Sequence, residues 1–306
     1  MCRVITVPDK LAVATIAREG DGGRRWIGEL PTLAERCLTR WSCVPSGPPT
    51  HGGVAMIIPV DSPDGPAIIK ISFRHPGNVD EPAALQAWQG NGAVRLYAHE
   101  PADLALLIER VEQRTLDLPT DEGLIIGAEL SARLSVPAPV GLPSVATECA
   151  GWAEQLRDQD QQLGHPLPDR VIAGALEIID DLGRDRTSTM IHGDLHGENI
   201  LHADRGWLVV DPKGRSGTAA FDAMTMCLYR HQELMAATDP VAELRRRIMI
   251  FAEVSGVDAA LAIRCTQARL TSSALWDLLH ADTPIQQQWG RLAATAAESL
   301  LAQAYG

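Results

Sequence analysis

Three oxygen-bearing side chains stand at short, fixed spacings in the segment 190–213. Asp194 is followed five residues later by Asn199, and Asp211 directly follows the apolar run Trp207–Val210. Phosphoryl transfer requires a carboxylate that accepts the proton of the attacking hydroxyl, and oxygen ligands that hold Mg²⁺ against nucleotide phosphates. The spacing therefore predicts Asp194 as a catalytic base, with Asn199 and Asp211 as ligands of Mg²⁺.

This segment has two other interpretations. Any one of the three residues alone is more simply explained as a loop residue that satisfies turn backbone between two buried strands. The stretch Gly193–Gly197 also resembles the D-x-H metal-binding turn of dinuclear metallophosphoesterases. Such sites need further clusters of Asp, Asn and His, and after residue 200 the sequence offers only His202, His231 and His280 and no Gly-Asn-His stretch. The joint spacing favours phosphoryl transfer.

A site of this kind also needs a strand lysine for the α- and β-phosphates and an acid that orients it. Lys70 is the single lysine of the apolar run Ala67–Ile71, and the next predicted helix begins with Asp80 and Glu81. We expect Glu81 to pair with Lys70, whereas Asp80 could be the N-cap of the helix. A solvent-facing lysine on an edge strand is the alternative explanation of Lys70.

A loop rich in glycine and proline, 45–53, precedes these strands and ends in Gly52 and Gly53. Glycines allow backbone N–H groups to approach phosphates, so both are candidates for nucleotide binding. The loop matches no established phosphate-binding motif, and a plain turn is equally consistent with it.

The elements that must position these residues begin with a sheet-rich first third. Residues 8–40 are predicted to be helical with a break at Gly20–Gly23, and the apolar runs 54–60 and 67–72 are predicted strands. The Pro-Asp-Gly turn within Asp61–Gly65 indicates a β-hairpin between them. The remaining elements predicted here are a helix over 80–89 and strands over 93–98 and 104–111.

Beyond residue 112 the pattern is mainly helical, and Thr120 is predicted to cap a helix that runs to about Ser135. The fold class predicted is α+β. It has a small antiparallel-sheet N-lobe with an N-terminal helical extension over 1–112, which binds the nucleotide, and a helical, catalytic and substrate-binding C-lobe over 113–306. Further helices are predicted over 148–163, 168–184, 219–236, 240–254, 257–281 and 284–303.

Composition narrows the possible partners. Of 306 residues, 45% are hydrophobic, which is enough for a sizeable core. The formal net charge of −12 disfavours nucleic acid and anionic membranes as partners and is compatible with a cationic substrate. No apolar run is long enough for a membrane span or a secretory signal, so we expect a cytoplasmic location and a monomer. The six cysteines are dispersed without a C-x-x-C pair, which argues against zinc.

Taken together, these residues resemble the aminoglycoside phosphotransferase family of the kinase-like superfamily, in the subgroup of streptomycin 6-phosphotransferases and hydroxyurea phosphotransferases. The resemblance covers nearly the whole chain. The block His192–Asn199 is common to the superfamily, whereas Asp211-Pro212-Lys213 and Leu275-Trp276-Asp277 are more particular to this subgroup. Other matching stretches are Arg25-Trp26-Ile27, Leu106–Arg110, Arg114-Thr115-Leu116, Val136–Pro139 and Phe221-Asp222.

The resemblance implies a bilobal protein-kinase-like fold with ATP between the lobes and its adenine against the connector Glu109–Val111, so that Glu109 and Val111 contact the nucleotide. It implies that Lys70 binds phosphates and that His192 braces the catalytic loop around Asp194. The acceptor implied is an aminoglycoside such as streptomycin, which carries guanidinium groups that carboxylates bind well. The acids implied to form the substrate side of the cleft are Glu198, Glu233 and Asp277, each of which could also be an ordinary solvated helix charge.

One departure bears on the acceptor. The family usually has a Gly-Asp-Pro stretch before the Phe-Asp pair, whereas this chain has Gly217-Thr218-Ala219-Ala220. The sequence therefore leaves open the same kinase chemistry on another amino sugar or hydroxylated metabolite. A nucleotide-binding module without catalysis is a further alternative, which the complete set of Asp194, Asn199 and Asp211 disfavours. The choice between ATP and GTP is also open.

Overall fold

The computed structural model describes residues 5–281 and 283–304 and starts with a long helix, α1 (Asp9–Arg40). At Gly20 the backbone leaves the helical region with φ 58°, so the break predicted at 20–23 is a kink. The helix buries Leu11, Leu30 and Cys37 in a core that it shares with the sheet. Its role is thus to cover one face of the sheet.

The sheet is antiparallel, with six strands that pair in the order β1-β3-β4-β6-β5, and β2 pairs with β3. A single helix, α2 (Glu81–Trp88), is inserted between β4 and β5. The predicted antiparallel sheet that carries one helix is confirmed, whereas the two shortest strands, β1 and β2, were not predicted. The strands are β1 (Val44–Pro45), β2 (Thr50–His51), β3 (Ala55–Ser62), β4 (Gly65–Ser72), β5 (Leu96–Glu100) and β6 (Ala105–Glu109).

The hairpin between β3 and β4 decides which way Lys70 faces. Ser62 is opposite Gly65, which has φ 116°, so the turn consists of Pro63 and Asp64, as the Pro-Asp-Gly signal predicts. Side chains alternate between the faces of a strand. Since Ile69 and Ile71 are buried against α1, Lys70 points to the opposite face, towards α2 and the rest of the chain.

The remainder is mainly helical, which confirms the predicted fold class. The boundary predicted between residues 112 and 113 falls between β6 and the next helix and stays a prediction. The apolar faces of these helices form the larger of the two cores. The helices are α3 (Thr120–Leu134), α4 (Val145–Gln162), α5 (Asp169–Arg184), α6 (Ala223–Cys227), α7 (His231–Ala236), α8 (Pro240–Ser255), α9 (Ala259–His280) and α10 (Pro284–Ala304).

Two predictions about these helices were wrong. The predicted helix 219–236 is broken into a 3₁₀ turn and the short helices α6 and α7, with Arg230 at φ 49° between them. The buried guanidinium of Arg247 donates hydrogen bonds to the carbonyl oxygens of Cys227 and Tyr229, so the chain can stop its helix there without unpaired carbonyls. Thr120 is the first residue of α3, not its N-cap, and its hydroxyl donates to Glu233 instead.

Two short strand pairs frame the segment 190–216. Strand β7 (Met190–Ile191) pairs with β10 (Arg215–Ser216), and β8 (Ile200–Ala203) pairs with β9 (Gly206–Val209). The loop that follows β7 and the loop that follows β9 therefore emerge side by side, which brings residue 194 close to residues 211–213.

Two further observations concern composition. None of the helices in the described part of the chain combines the length and apolar character that a membrane span requires. Five cysteines are free and buried, whereas Cys2 lies outside the described residues.

Gly214 allows the loop after β9 to touch the start of α2. Its φ is +63°, and a Cβ there would lie 2.3 Å from the carbonyl oxygen of Asp80. We expect Gly214→Ala to lower the free energy of unfolding by about 3 kcal/mol or more, because a backbone clash is added to the roughly 1–2 kcal/mol of the left-handed conformation. Urea denaturation measures this.

Gly256→Ala is the matched control for that measurement. Gly256 has φ +75° with open space around its Cβ position. It should lose only about 1 kcal/mol, the contribution of the backbone conformation. Equal losses for the two variants would contradict the close approach at Gly214.

Candidate active site

The ammonium group of Lys70 joins β4, α2 and the loop after β9. Its Nζ donates to both carboxylate oxygens of Glu81 at 2.7 Å and to Oδ1 of Asp211 at 2.6 Å. The ion pair predicted between Lys70 and Glu81 is therefore present. Burial alone would lower the pKa of Lys70, but the charges of Glu81 and Asp211 raise it, so the ammonium stays protonated.

Asp211 is the carboxylate at which this ion pair meets the cleft. It adopts φ 59°, a left-handed conformation that Asp tolerates better than most residues. Although burial opposes ionisation, the charge of Lys70 lowers the pKa of Asp211 to about 2. An ionised carboxylate with one oxygen on Lys70 keeps the other for a second cation, which is the property that a Mg²⁺ ligand needs.

Asn199 lines the same cleft as Asp211. Its Nδ2 donates to the backbone carbonyl oxygen of Asp194 at 3.0 Å, which leaves its side-chain oxygen Oδ1 for a cation. One carboxylate and one amide oxygen suit Mg²⁺, which usually takes one or two protein ligands and completes its shell with water and substrate phosphates. The predicted pair of ligands thus fits the metal chemically.

A cleft of about 470 Å³ lies between the sheet and the loops of the helical part. Gly52 and Gly53 border it at the loop between β2 and β3, where added Cβ atoms would meet nothing. Glu109 and Val111 also line it, but the carboxylate of Glu109 is bound to Arg205 at 2.6 Å and accepts from the backbone N–H of Arg95. The apolar walls of the cleft are Val54, Ile57, Ile68, Ile108, Leu201 and Val210.

His192 is fully buried behind the catalytic loop and stacks on Trp88 with ring planes 8° apart. Its Nε2 donates to the carbonyl oxygen of Val210 at 3.0 Å, and its Nδ1 accepts from the N–H of Asp194 at 3.2 Å. Burial lowers the pKa of His192 to about 4, so the imidazole is neutral and can make both bonds. The side chain links the base to β9, as a bracing residue would.

Asp222 holds the other side of the same loop. Its two carboxylate oxygens accept from the backbone N–H groups of His192 at 2.9 Å and Gly193 at 2.8 Å. Burial raises the pKa of Asp222 to about 6, against the opposing effect of these amides and of Arg269. The backbone of the loop that carries Asp194 is thus held by a buried carboxylate.

Asp194 itself is part-exposed, and its backbone carbonyl accepts from Asn199, which lines the cleft. The Nζ of Lys213 lies 3.2 Å from its Oδ2, and the Nε2 of His196 lies 3.9 Å from its Oδ1. The base therefore faces open space and has a lysine beside it.

A second cavity of about 520 Å³ lies between α4 and α9. Arg215 connects it with the catalytic loop, because its Cδ lies 3.5 Å from the Cβ position of Gly193 and its Nη1 lies 3.0 Å from the carboxylate of Glu148. The indole of Trp276 is 51% exposed at the cavity rim. The other lining residues include Trp152, Phe221, Arg269 and Ser273.

The three acids predicted on the substrate side are not brought together. Glu198 lines the first cleft. Glu233 accepts from Thr120 and pairs with Arg230, and it lines neither cavity. Asp277 lies one helical turn beyond Ser273, whose hydroxyl is 3.4 Å from its Oδ2, so it is near the second cavity without lining it.

Sequence reasoning missed the residues that line this second cavity. Glu148 and Trp152 are four residues apart on α4, and a spacing of four on one helix face is the signal that could have found them. At the departure from the family pattern, the hydroxyl of Thr218 accepts from the N–H of Ala220 and caps the 3₁₀ turn before Asp222. Thr218 thus supports the turn that leads to Asp222.

Comparison with known proteins gives one family. Residues 40–280 match the model of the family described as aminoglycoside/hydroxyurea antibiotic resistance kinase. Streptomycin 6-kinase of Streptomyces glaucescens is 33% identical over 282 residues, which are 90% of this chain and 92% of that protein. Hydroxyurea phosphotransferase of Kitasatospora aureofaciens is 27% identical over 283 residues, 90% of this chain and 81% of that protein.

Solved structures resemble the fold at lower identity. Choline kinase LicA from Streptococcus pneumoniae superposes with a TM-score of 0.57 at 13% identity, over 89% of this chain and 98% of that chain. The GDP complex of wild-type aminoglycoside 2'-phosphotransferase-IIIa gives a TM-score of 0.51 at 14% identity, over 88% of this chain and 97% of that chain. The predicted kinase-like fold is confirmed.

The buried carboxyl of Asp222 gives the stability a pH dependence. Because its pKa is raised from 3.8 to about 6, the folded state gains stability from the protonated form below pH 3.8 and loses it as the pH rises through about 6. We expect Asp222→Asn to avoid this loss. Between pH 4 and pH 7 its free energy of unfolding should therefore improve relative to the wild type by up to roughly 3 kcal/mol.

Urea denaturation at each pH measures that difference, and Asp158→Asn, at an exposed position on α4, is the control. A difference between Asp222→Asn and wild type that is constant from pH 4 to pH 7 would contradict the raised pKa.

Proposed function

We propose that this chain, which belongs to the aminoglycoside/hydroxyurea antibiotic resistance kinase family, transfers the γ-phosphoryl group of ATP to a hydroxyl of an aminoglycoside of the streptomycin type. The chain is a kinase that acts on a small molecule. We further propose ATP as the donor, Mg²⁺ as the cofactor and streptomycin as the acceptor.

The observation that carries the proposal is the arrangement of four groups along the cleft. Lys70 is held by Glu81 and Asp211, and Asp211 shares the cleft with Asn199. Asp194 is connected to this cleft through its backbone carbonyl, which accepts from Asn199. A phosphate-binding cation, two oxygen ligands for Mg²⁺ and a carboxylate base are the parts that phosphoryl transfer needs.

In this proposal the nucleotide lies in the cleft of about 470 Å³, with Lys70 on its phosphates and Asn199 and Asp211 as the residues that would hold Mg²⁺. Bound there, Mg²⁺ would neutralise phosphate charge. Asp194 accepts the proton of the acceptor hydroxyl, and His192 and Asp222 hold the loop in place. The roles of Glu198 and of the connector Glu109–Val111 stay predictions.

We propose that the acceptor binds in the second cavity, beside Asp194. Streptomycin 6-kinase is a relative over nine-tenths of this chain, and the cavity offers the carboxylate of Glu148 to a cationic group and the exposed face of Trp276 to a sugar ring. Glu148 therefore replaces Glu233 as the acid that we assign to the acceptor.

A neutral hydroxylated molecule is the second candidate acceptor. Glu148 is already paired with Arg215, and Arg269 also lines the cavity, so guanidinium groups outnumber carboxylates there. A hydroxyurea phosphotransferase is among the relatives. An acceptor panel should therefore contain neutral compounds beside aminoglycosides and amino sugars.

We expect streptomycin-dependent release of ADP from Mg²⁺-ATP, and we expect Asp194→Asn to lower kcat by roughly 10³-fold, since general-base catalysis contributes about 10²–10⁴-fold. A coupled assay of ADP formation measures kcat, and calorimetry should give ATP affinity within about threefold of wild type, because Asp194 does not hold the nucleotide.

Full turnover in the Asp194→Asn variant would refute the assignment of the base. ATP binding without transfer to any member of the panel would instead favour a nucleotide-binding module without catalysis.

The acceptor site has its own test. Glu148→Gln and Trp276→Ala should each raise the KM for the acceptor about tenfold, the equivalent of losing one charge-assisted hydrogen bond or ring contact. The KM for ATP should not change. Glu154→Gln, at an exposed position on the same helix, is the matched control, and an acceptor KM that is equal in Glu148→Gln and Glu154→Gln would place the acceptor elsewhere.

A further inference from the structure

Lysine is rare in this chain. Among 27 basic Lys and Arg residues, the only lysines are Lys10, Lys70 and Lys213. Lys10 is exposed on α1, whereas Lys70 lines the cleft of about 470 Å³ and Lys213 lies 3.2 Å from Asp194. An ammonium is a compact point charge with rotatable donors, and a guanidinium is a larger planar fork. Position 213 thus carries a compact ammonium in a chain in which most basic residues are arginines.

The backbone around Lys213 is built to hold this side chain against the base. Its N–H donates to the carbonyl oxygen of His192 at 2.9 Å. Gly193 has φ +81°, and a Cβ there would lie 3.0 Å from the Cβ of Lys213. The absence of a side chain at Gly193 therefore leaves the space that the stem of Lys213 fills on its way to Asp194, 3.2 Å away.

The other cations near the base have partners other than Asp194. Lys70 is bound by Glu81 and Asp211, Arg215 is paired with Glu148, and Arg269 donates to the carbonyl oxygen of Phe221. In the described part of the chain, Lys213 is the lysine whose ion-pair partner is the base itself.

The charge of Lys213 reaches both sides of the reaction centre. Burial raises the pKa of Asp211, but the charge of Lys70, and to a smaller extent that of Lys213, lowers it. Lys213 follows Asp211 by two residues in the chain, and its ammonium lies 3.2 Å from the carboxylate of Asp194. A phosphoryl group that passes from nucleotide to acceptor must cross the space between these two carboxylates.

We propose that Lys213 is a catalytic residue whose ammonium contacts the oxygens of the transferring phosphoryl group, an inference that rests on the proposed function. In the transfer, the acceptor hydroxyl oxygen forms a bond to the γ-phosphorus. The bond from that phosphorus to the β,γ-bridging oxygen breaks, and its electron pair leaves with ADP. The hydroxyl proton passes to Asp194.

The resting ion pair and the transfer are coupled through charge. Before the transfer, the ammonium of Lys213 lies 3.2 Å from the carboxylate of Asp194. When the proton arrives, Asp194 becomes neutral and its attraction for the ammonium falls. The ammonium is then free to interact with the phosphoryl oxygens, on which charge is spread at that moment. Lys213 therefore exchanges its interaction with Asp194 for one with the phosphoryl oxygens, while its backbone stays in the same position.

The kinetic test compares Lys213→Met, Lys213→Arg and Lys10→Arg. Methionine keeps the unbranched stem and removes the charge, so kcat should fall by about 10²–10³-fold, as for the loss of one donor to a transition-state anion. The affinity for ATP and the KM for the acceptor should change by less than about tenfold. Lys213→Arg should also lose at least about tenfold in kcat, because its fork does not fit the space beside Gly193. Lys10→Arg should behave as wild type.

A second readout is independent of turnover. Because the chain has three lysines, an amine-reactive reagent followed by mass spectrometry can report each one separately. The β,γ-imido analogue of ATP with Mg²⁺ should protect Lys213 from labelling by at least about threefold, while Lys10 should be labelled equally with and without the nucleotide.

Either of two results overturns the inference. One is a kcat for Lys213→Met within about threefold of wild type. The other is equal labelling of Lys213 with and without the nucleotide, which would leave it only a positioning residue for Asp194. The labelling needs no acceptor, so a failure of every aminoglycoside to be phosphorylated would count against the proposed function and not against this inference.

Discussion

The structure depends on one buried cation. The Nζ of Lys70 is shared between Glu81, eleven residues away in sequence, and Asp211, 141 residues away. A buried charge is stable only where its partners surround it, and removal of one partner from such a pair costs roughly 3–5 kcal/mol. The sheet, α2 and the loop after β9 are thus fixed to one another by an interaction that tolerates little displacement. These three elements meet at the Nζ of Lys70, and this contact holds the walls of the cleft together.

Two further buried polar side chains, His192 and Asp222, fix the backbone of the loop that carries Asp194. His192 joins the N–H of Asp194 to the carbonyl oxygen of Val210, only one residue before Asp211. From the opposite side, Asp222 binds the two amides that precede Asp194. The loop is therefore held by hydrogen bonds to its backbone, and neither support uses the carboxylate of Asp194, whose ion-pair partner is Lys213. Because both supports are buried in the helical core, solvent does not compete with them.

Features that depend on residues close together in the sequence could be predicted, whereas features that depend on contacts between distant residues could not. The hairpin before Lys70 is a local pattern, and its prediction agrees with the structure. The spacing of Asp194, Asn199 and Asp211 is also local: Asn199 lines the same cleft as Asp211 and binds the backbone of Asp194, while the chemical roles of the three stay predictions. The helix break near Arg230 depends on Arg247, a buried guanidinium from another helix, and no local pattern shows it. The family resemblance implied that Glu198, Glu233 and Asp277 form one side of the cleft, but the direction of each side chain is set by tertiary packing.

The balance of charge at the cleft fits the part that Mg²⁺ plays in the proposed function. The carboxylates of Glu81, Asp194 and Asp211 face the two ammonium groups of Lys70 and Lys213, so this group of side chains is negative by one charge. A nucleotide brings several further negative charges into the same space. Coulomb repulsion over a few ångströms in a part-buried cleft is worth several kcal/mol. In the proposed function, Asp211 and Asn199 would hold a divalent cation whose charge would offset this repulsion. The carboxylate that anchors Lys70 would thereby make nucleotide binding depend on the metal, so the cleft would favour a nucleotide that arrives with its cation.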